Sequence, residues 1–375
     1  MTTLTQANRQ WASRPADERF TSLHELHGHC ETARFRSAAK VLPNRALTVQ
    51  PDEADQERGL LVTGPNGAAV APSHWAFGQL AQRAGAPAAY LRDLPAPLAA
   101  DCMNYGLRHV RDVEELGVLL RREESGAATL AAVTGPNYGR VWNSVCTRTL
   151  VKLFGSGLAT DGGDWQVPQE NNFGGRSYDP HYAVTKQNTT LYASDRDMWV
   201  FLADERHRIE VPNRRNGQPG SLARGFMLWN SEVGAESLGM AAFYFDGMCG
   251  NHLIWDAEGF TEIRIRHTAG APDRWIEQVT PALETYAQAS TVTITQALAA
   301  ARAARIDNVD EFLRKRFSNR MTAAIKAAHM ADEDRPIETL WDAATAVTAY
   351  ARSIPYMNER VDLEREGGRI LDLAA

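Results

Sequence analysis

Residues 189–268 contain seven short apolar segments separated by turn residues, and this pattern restricts the fold more than any other feature of the chain. The segments are LYAS, MWVFLA, RIEV, GFMLWN, GMAAFYFD, HLIWD and EIRIRHT. Short connections favour antiparallel strands, because parallel strands need longer crossovers. The last segment is the clearest strand, since Ile263 and Ile265 alternate with Arg264 and Arg266. The sequence therefore predicts a central, mainly antiparallel sheet.

Within this region, the stretch from Ala223 to Asn251 predicts two neighbouring strands joined by a polar turn. Asn230, Ser231 and Glu232 interrupt the apolar run. Asparagine and serine favour turns because their side chains hydrogen-bond to nearby backbone groups. We expect these residues to form a structural turn, with a catalytic role for Glu232 as the alternative.

Helical patterns lie on both sides of the predicted sheet. Apolar residues at three- and four-residue spacing predict helices over 15–27, 74–85, 88–94, 96–109 and 145–153 before it. Ala-rich segments predict helices over 275–289, 292–305, 309–330 and 337–352 after it. Gly28 is expected to interrupt the first helix, and the charged tail 360–375 is expected to be loosely held.

These elements predict an α+β protein in which the central sheet is flanked by a mixed N-terminal unit and C-terminal helices. The predicted regions are a mixed unit (1–154), a Gly-rich connection (155–188), the sheet (189–271) and a helical region (272–375).

Composition and charge limit the classes of partner and the location. A formal net charge of −6 gives no overall attraction to nucleic acid or anionic lipid, so any such surface must be local. The N-terminus has no signal-peptide pattern, and no run approaches the ~20 apolar residues that span a membrane. Four cysteines without CxxC spacing indicate reduced thiols. We therefore expect a cytoplasmic protein without a membrane partner.

Basic and aromatic residues in the predicted sheet indicate a site for single-stranded nucleic acid, because cations contact phosphates and rings stack on bases. The alternative is that the rings form the core and the arginines solubilise the sheet edge. The residues assigned to this site are Arg206, Arg208, Arg214, Arg215, Arg264, Arg266, Tyr192 and Trp229.

Two further groups have side chains that bind metals. Asp195 and Asp197, together with Glu232, are candidate catalytic carboxylates of a Mg²⁺-dependent enzyme, and a solvated turn is the alternative. His24, His27, His29 and Cys30 are candidate zinc ligands, although no second ligand pair lies nearby. A polar helix end is the alternative for that group. A divalent metal is the one cofactor considered, and none is predicted.

Five segments between His74 and Ala271 together carry a resemblance to a known family, because they occur in the same order as in that family. They are HWAFGQLAQRAGAPAAYLRDLP, AAVTGPNYGRVWN, TTLYASDRDMWVFLADE, ARGFMLWNSEVGAESLGMAAFYFDGMCGN and EIRIRHT. They resemble the phage/plasmid-like family built on domain of unknown function 932 (DUF932). The resemblance implies an origin in bacterial mobile elements and carries over no catalytic set.

The favoured hypothesis is a non-catalytic protein of mobile-element DNA metabolism that binds, anneals or protects single-stranded DNA. A metal-dependent enzyme acting on nucleic acid is one alternative. An inhibitor or scaffold that binds a host protein is the other, and a homo-oligomer is considered in each case.

Overall fold

The computed structural model describes most of the chain, and Arg215 lies outside the described residues. The described residues are 14–109, 114–124, 126–169, 178–212, 214, 217, 219–246, 251–253, 262–289, 292–354 and 357–374.

Fifteen strands are described, and they form two sheets. The smaller sheet contains β2 (Ser37–Pro43), β3 (Thr48–Asp52), β4 (Asp55–Thr63), β5 (Ala69–Pro72), β6 (Glu115–Arg122) and β7 (Ala128–Thr134). The larger sheet contains β1 (Arg19–Phe20), β8 (Trp165–Gln166), β9 (Leu191–Ala193), β10 (Met198–Asp204), β11 (Ile209–Val211), β12 (Gly220–Asn230), β13 (Leu238–Asp246), β14 (Asn251–Leu253) and β15 (Ile263–Ile265).

The two sheets differ in how their strands pair. The larger sheet has the order β1-β9-β10-β12-β13-β14, with β8, β11 and β15 added beside β10, β12 and β13. All its described pairs are antiparallel. The smaller sheet has the order β2-β6-β7-β5-β4-β3, and its β5–β7 pair is parallel. The predicted α+β class with a mainly antiparallel sheet is confirmed.

Twelve α-helices are described. They are α1 (Leu23–Phe35), α2 (His74–Arg83), α3 (Ala88–Asp93), α4 (Ala96–His109), α5 (Asn143–Phe154), α6 (Ala271–Arg274), α7 (Thr280–Gln288), α8 (Val292–Ala303), α9 (Val309–Arg314), α10 (Asn319–Glu333), α11 (Leu340–Ala351) and α12 (Met357–Leu371). None of these described helices is long and apolar enough to cross a bilayer.

Five apolar clusters are described, and three of them hold most of the helices to the sheets. Leu23 of α1 and Leu150 of α5 share a core with Phe226 on one face of the larger sheet. The C-terminal helices pack around Trp341 at the β11 end of that sheet. Helices α2 and α4 pack on the smaller sheet in a third core that includes Leu80.

The first predicted helix begins later than expected. Arg19 and Phe20 pair with β9 instead, and the helix begins at Leu23 after Ser22, whose Oγ accepts a 3.1 Å hydrogen bond from the Glu25 amide. This is an N-cap, which satisfies an amide that lacks a partner within the helix. The expected interruption is wrong as well, because the helix continues through Gly28 to Phe35.

The prediction of a loosely held tail is also wrong. Residues 357–371 form α12, in which Val361, Ile370 and Leu371 are buried. Charged residues dominate the composition of this helix, but its apolar residues lie on one face, and that face is buried.

The predicted division of the chain into regions is not tested by the fold. Segments 19–35 and 143–154 of the predicted N-terminal unit pack on the larger sheet. The predicted boundaries at 154, 188 and 271 stay predictions.

Two helical glycines should respond to alanine in opposite directions. A Cβ at Gly28 would meet nothing within 4 Å, so Gly28→Ala should stabilise the protein by about 0.5–1 kcal/mol through lower backbone entropy loss. A Cβ at Gly106 would lie 2.0 Å from the Ala84 carbonyl oxygen, so Gly106→Ala should destabilise by about 1–3 kcal/mol. Urea unfolding measures both changes. Equal shifts of the same sign would contradict the close approach of α4 to Ala84.

Candidate nucleic-acid interface

The turn that follows β12 accepts hydrogen bonds from residues outside the larger sheet. The Ser231 carbonyl accepts a 2.7 Å hydrogen bond from the Tyr138 hydroxyl, and the Glu232 carbonyl accepts one of 2.7 Å from Arg140 Nε. On the side of the smaller sheet, Gln79 Nε2 donates to the Val233 carbonyl at 2.7 Å. The turn therefore joins the two sheets, which supports the structural interpretation of this segment.

The Glu232 side chain is the central ionic contact of this turn. It is 4% exposed, and its Oε2 lies 2.7 Å from Arg121 Nη2 on β6. Its Oε1 accepts a 2.8 Å hydrogen bond from the Asn143 amide at the start of α5. Burial raises the pKa of Glu232, while Arg121 and the Asn143 amide oppose the shift. Both carboxylate oxygens are thus engaged within the protein.

Three arginines act on this single carboxylate. Arg121, Arg140 and Arg34 each lower the pKa of Glu232 through their charge. Arg140 is half-buried, its own pKa is lowered by burial, and its Nη2 is a buried atom without a hydrogen-bond partner in the described structure. Glu31, which also lies within electrostatic range of Arg34, accepts a 2.6 Å hydrogen bond from Arg148. Positive charge therefore exceeds negative charge around Glu232.

Aromatic rings accompany these cations. The Arg34 and Arg140 guanidinium carbons lie 5.6 and 5.7 Å from the centre of the half-buried Trp142 ring. Arg140 also lies 5.3 Å from the Tyr138 ring. We call Arg34, Arg121, Tyr138, Arg140 and Trp142 the junction cluster. Cations beside partly accessible rings can contact phosphates and stack on unpaired bases.

The sequence-predicted arginines that the structure describes lie at two ends of the larger sheet. Ile209, next to the 206–208 segment, pairs with Leu222 on β12. Arg264 pairs with Gly239, which pairs with Trp229 at the other end of β12. Seven residues of strand separate these positions, or roughly 23 Å at about 3.3 Å per residue. The structure therefore does not bring the two groups onto one site.

Two of these arginines form ion pairs inside the protein. Arg208 Nε donates to Glu205 at 2.7 Å, and its side chain is 8% exposed. Arg214 has no exposed side-chain area, and its Nε donates to Glu333 at 2.9 Å. Phosphate contact would require both ion pairs to open, which is costly for buried charges.

Three other predicted arginines remain on the surface. Arg206 Nη1 donates to the Gly162 carbonyl at 2.9 Å, and Arg264 hydrogen-bonds Glu262. The Arg266 side chain is also exposed. Their assignment to a nucleic-acid site stays a prediction.

The two predicted stacking rings differ in accessibility. Trp229 is 2% exposed and stacks on Trp199, with ring centres 5.4 Å apart, so it has no open face for a base. Tyr192 is half-buried, and its hydroxyl donates to the Thr189 carbonyl at 2.7 Å. The alternative interpretation of the rings as core therefore fits Trp229.

Asp197 and Glu232, two of the candidate catalytic carboxylates, have separate partners. Arg14 Nη2 donates to both oxygens of Asp197 at 3.0 Å, and Trp199 Nε1 donates to one at 3.0 Å. Glu232 contacts Asn143, and Asp195 is exposed. The described residues contain no group of three or more His, Cys, Asp or Glu side chains that could hold a metal ion.

The candidate zinc ligands on α1 contact different neighbours. His27 Nδ1 lies 2.9 Å from Thr147 Oγ1, the His29 ring lies 4.8 Å from the Phe20 ring, and His24 is exposed. Cys30 is buried, and burial raises the pKa of its thiol, which disfavours the thiolate that binds metals. The structure therefore does not gather these four side chains into one ligand set.

No family model, curated protein or solved structure with significant similarity to this chain was found. The class of protein is defined by the fold alone, an α+β protein with two sheets joined by a polar turn. The resemblance to the DUF932 family stays a prediction.

Removal of the Glu232 side chain should destabilise the protein strongly. Glu232→Ala leaves Arg121 and the Asn143 amide without their acceptor, and we expect a loss of about 3 kcal/mol. Glu124→Ala is the matched control, because Glu124 pairs with Arg36 but is 87% exposed, and it should cost less than about 1 kcal/mol. Denaturant unfolding of both variants compares the two pairs. Similar costs would show that the buried Glu232 pair stabilises the protein no more than the exposed pair does.

Glu18 should make stability depend on pH. Burial raises its pKa to about 7, with Asp195 and Asp197 adding to the shift and Arg14 opposing it. Between pH 5 and 7 the folded state holds a proton that the unfolded state releases, so stability falls as pH rises through this range. Glu18→Gln should therefore gain stability relative to the parent from pH 5 to pH 8, measured by urea unfolding. Glu57→Gln, at an exposed position of β4, serves as the control. If the stability difference between Glu18→Gln and the parent does not change with pH, the raised pKa of Glu18 is contradicted.

Proposed function

We propose that the protein binds single-stranded nucleic acid without catalysis, and that the junction cluster is the contact surface. The observation that carries the proposal is Trp142, whose half-buried ring lies within 6 Å of two guanidinium groups. A partly accessible ring beside two cations offers one unpaired base a stacking partner and its flanking phosphates two positive charges.

Single strands fit this surface better than duplexes. In a duplex the bases are stacked on each other, whereas a single strand can place a base against Trp142. Because the net charge is −6, the chain as a whole does not attract nucleic acid, and only the local cations attract its phosphates. Binding should therefore depend strongly on salt.

The wider setting follows from the resemblance to the DUF932 family. It favours a role in mobile-element DNA metabolism, such as annealing or protection of single strands in the cytoplasm. Self-association along a strand would suit such a role, because cooperative binding is common among single-strand binders.

Binding to a fluorescein-labelled dT20 oligonucleotide, followed by anisotropy, tests the proposal. Affinity for the parent protein should fall steeply between 50 and 200 mM salt. Arg34→Gln should reduce the slope of log K against log salt by about 0.7 for each lost phosphate contact. Trp142→Leu should cost about 1–3 kcal/mol of binding free energy through lost stacking.

The controls separate this surface from other cations. Arg320→Gln removes an exposed charge on α10 and should leave binding unchanged. Arg206→Gln and Arg264→Gln test the two ends of the sheet that the sequence favoured. The proposal fails if the parent protein does not bind at low salt. It also fails if the sheet-end variants weaken binding while Arg34→Gln and Trp142→Leu do not.

A further inference from the structure

A second basic feature is a cavity of about 250 Å³ beside the start of α2. Two arginines, a histidine and a serine supply its polar lining, and no carboxylate is among the described lining residues. Phe77, Leu60 and Leu91 supply apolar wall. The volume lies below the roughly 300–1,000 Å³ of pockets for drug-sized ligands, so the cavity suits a small group.

Arg92 is fixed at this cavity, and none of the described carboxylates compensates its charge. Its guanidinium carbon lies 4.5 Å from the centre of the Phe77 ring, and its Nη2 donates to the His74 carbonyl at 3.0 Å. Burial lowers the pKa of Arg92, and no described carboxylate offsets the shift. A half-buried cation of this kind is stabilised when an anion enters beside it.

His74 adds an unused hydrogen-bonding atom. It is half-buried in the cavity lining, and its Nε2 is buried with no hydrogen-bond partner in the described structure. Arg92 and Arg196 both lie within electrostatic range of the ring, and Asp195 is the acid that opposes them. Burial lowers the pKa of His74, so the ring is neutral near pH 7 and can donate one hydrogen bond.

We propose that this cavity binds a phosphate monoester carried on a small apolar or aromatic group. The phosphate offers oxygens to Arg58, His74 and Arg92, and arginine forks match phosphate geometry. The attached group would contact Phe77 and Leu91. The site stands apart from the proposed function, although Trp75, next to His74, donates to the Val233 carbonyl of the junction turn at 3.1 Å.

Isothermal titration of the full-length protein with phenyl phosphate, in phosphate-free buffer at pH 7.5, tests the site. The parent should bind one equivalent, whereas phenol, which lacks the phosphate, should not bind. Arg92→Gln should weaken binding at least about tenfold, as expected for a hydrogen bond to a charged group. Arg58→Gln, at an exposed position of β4, should also weaken binding of phenyl phosphate. If Arg92→Gln does not fold, the affinity of Arg58→Gln tests the site.

Arg108→Gln is the matched control, because Arg108 is exposed on α4 and lies outside the cavity lining. It should bind phenyl phosphate like the parent. The proposal is overturned if the parent does not bind phenyl phosphate at millimolar concentration. It is also overturned if folded Arg58→Gln and Arg92→Gln bind it as the parent does.

Oligonucleotides identify the source of the ester. Tighter binding of 5′-phosphorylated dT10 than of 5′-hydroxyl dT10, with the difference lost in Arg92→Gln, assigns the cavity to a strand end. Equal binding of the two strands alongside binding of phenyl phosphate assigns it to a free small ester. Binding of phenyl phosphate with no binding of either strand supports the cavity and refutes the proposed function.

Discussion

The buried ion pair between Glu232 and Arg121 links the two sheets, together with the hydrogen bonds that the turn accepts from Tyr138, Arg140 and Gln79. It joins the turn after β12 of the larger sheet to β6 of the smaller one. The same carboxylate accepts from the first amide of α5, so a single buried charge positions three elements. A buried carboxylate is costly unless donors reach both of its oxygens, and this requirement holds Arg121 and the Asn143 amide beside Glu232.

Seven of the nine described strands of the larger sheet could be predicted because their signal is local. Alternation in EIRIRHT and the short connections identified antiparallel strands directly from neighbouring residues. The start of α1 and the packing of α12 could not be predicted in this way. Phe20 forms β1 because it pairs with Leu191, and α12 packs through its buried face. Both effects depend on residues that are distant in the chain.

The candidate site was harder to predict than the fold, because arginines serve two purposes here. Arg208 and Arg214 belong to dense basic sequence yet neutralise Glu205 and Glu333 inside the protein. Sequence clustering counts charges but does not show where their partners lie. Tyr138, Arg140 and Trp142 occupy alternate positions in YGRVW and were the local sign of the junction cluster. Arg34 and Arg121 reach them only through the fold.

The junction cluster and the cavity share an excess of positive charge over the negative charge of nearby described residues. In a chain of net charge −6, many of the described arginines have acidic partners, as Arg208 and Arg214 do, and those partners weaken their attraction for an anion. Arg92 has no described carboxylate acting on its pKa, and Arg140 shares Glu232 with two other arginines. Cations left in excess in partly buried places gain most from an incoming phosphate, because water screens them least. Local excess of charge, and not the number of arginines, therefore determines where an anionic ligand would bind.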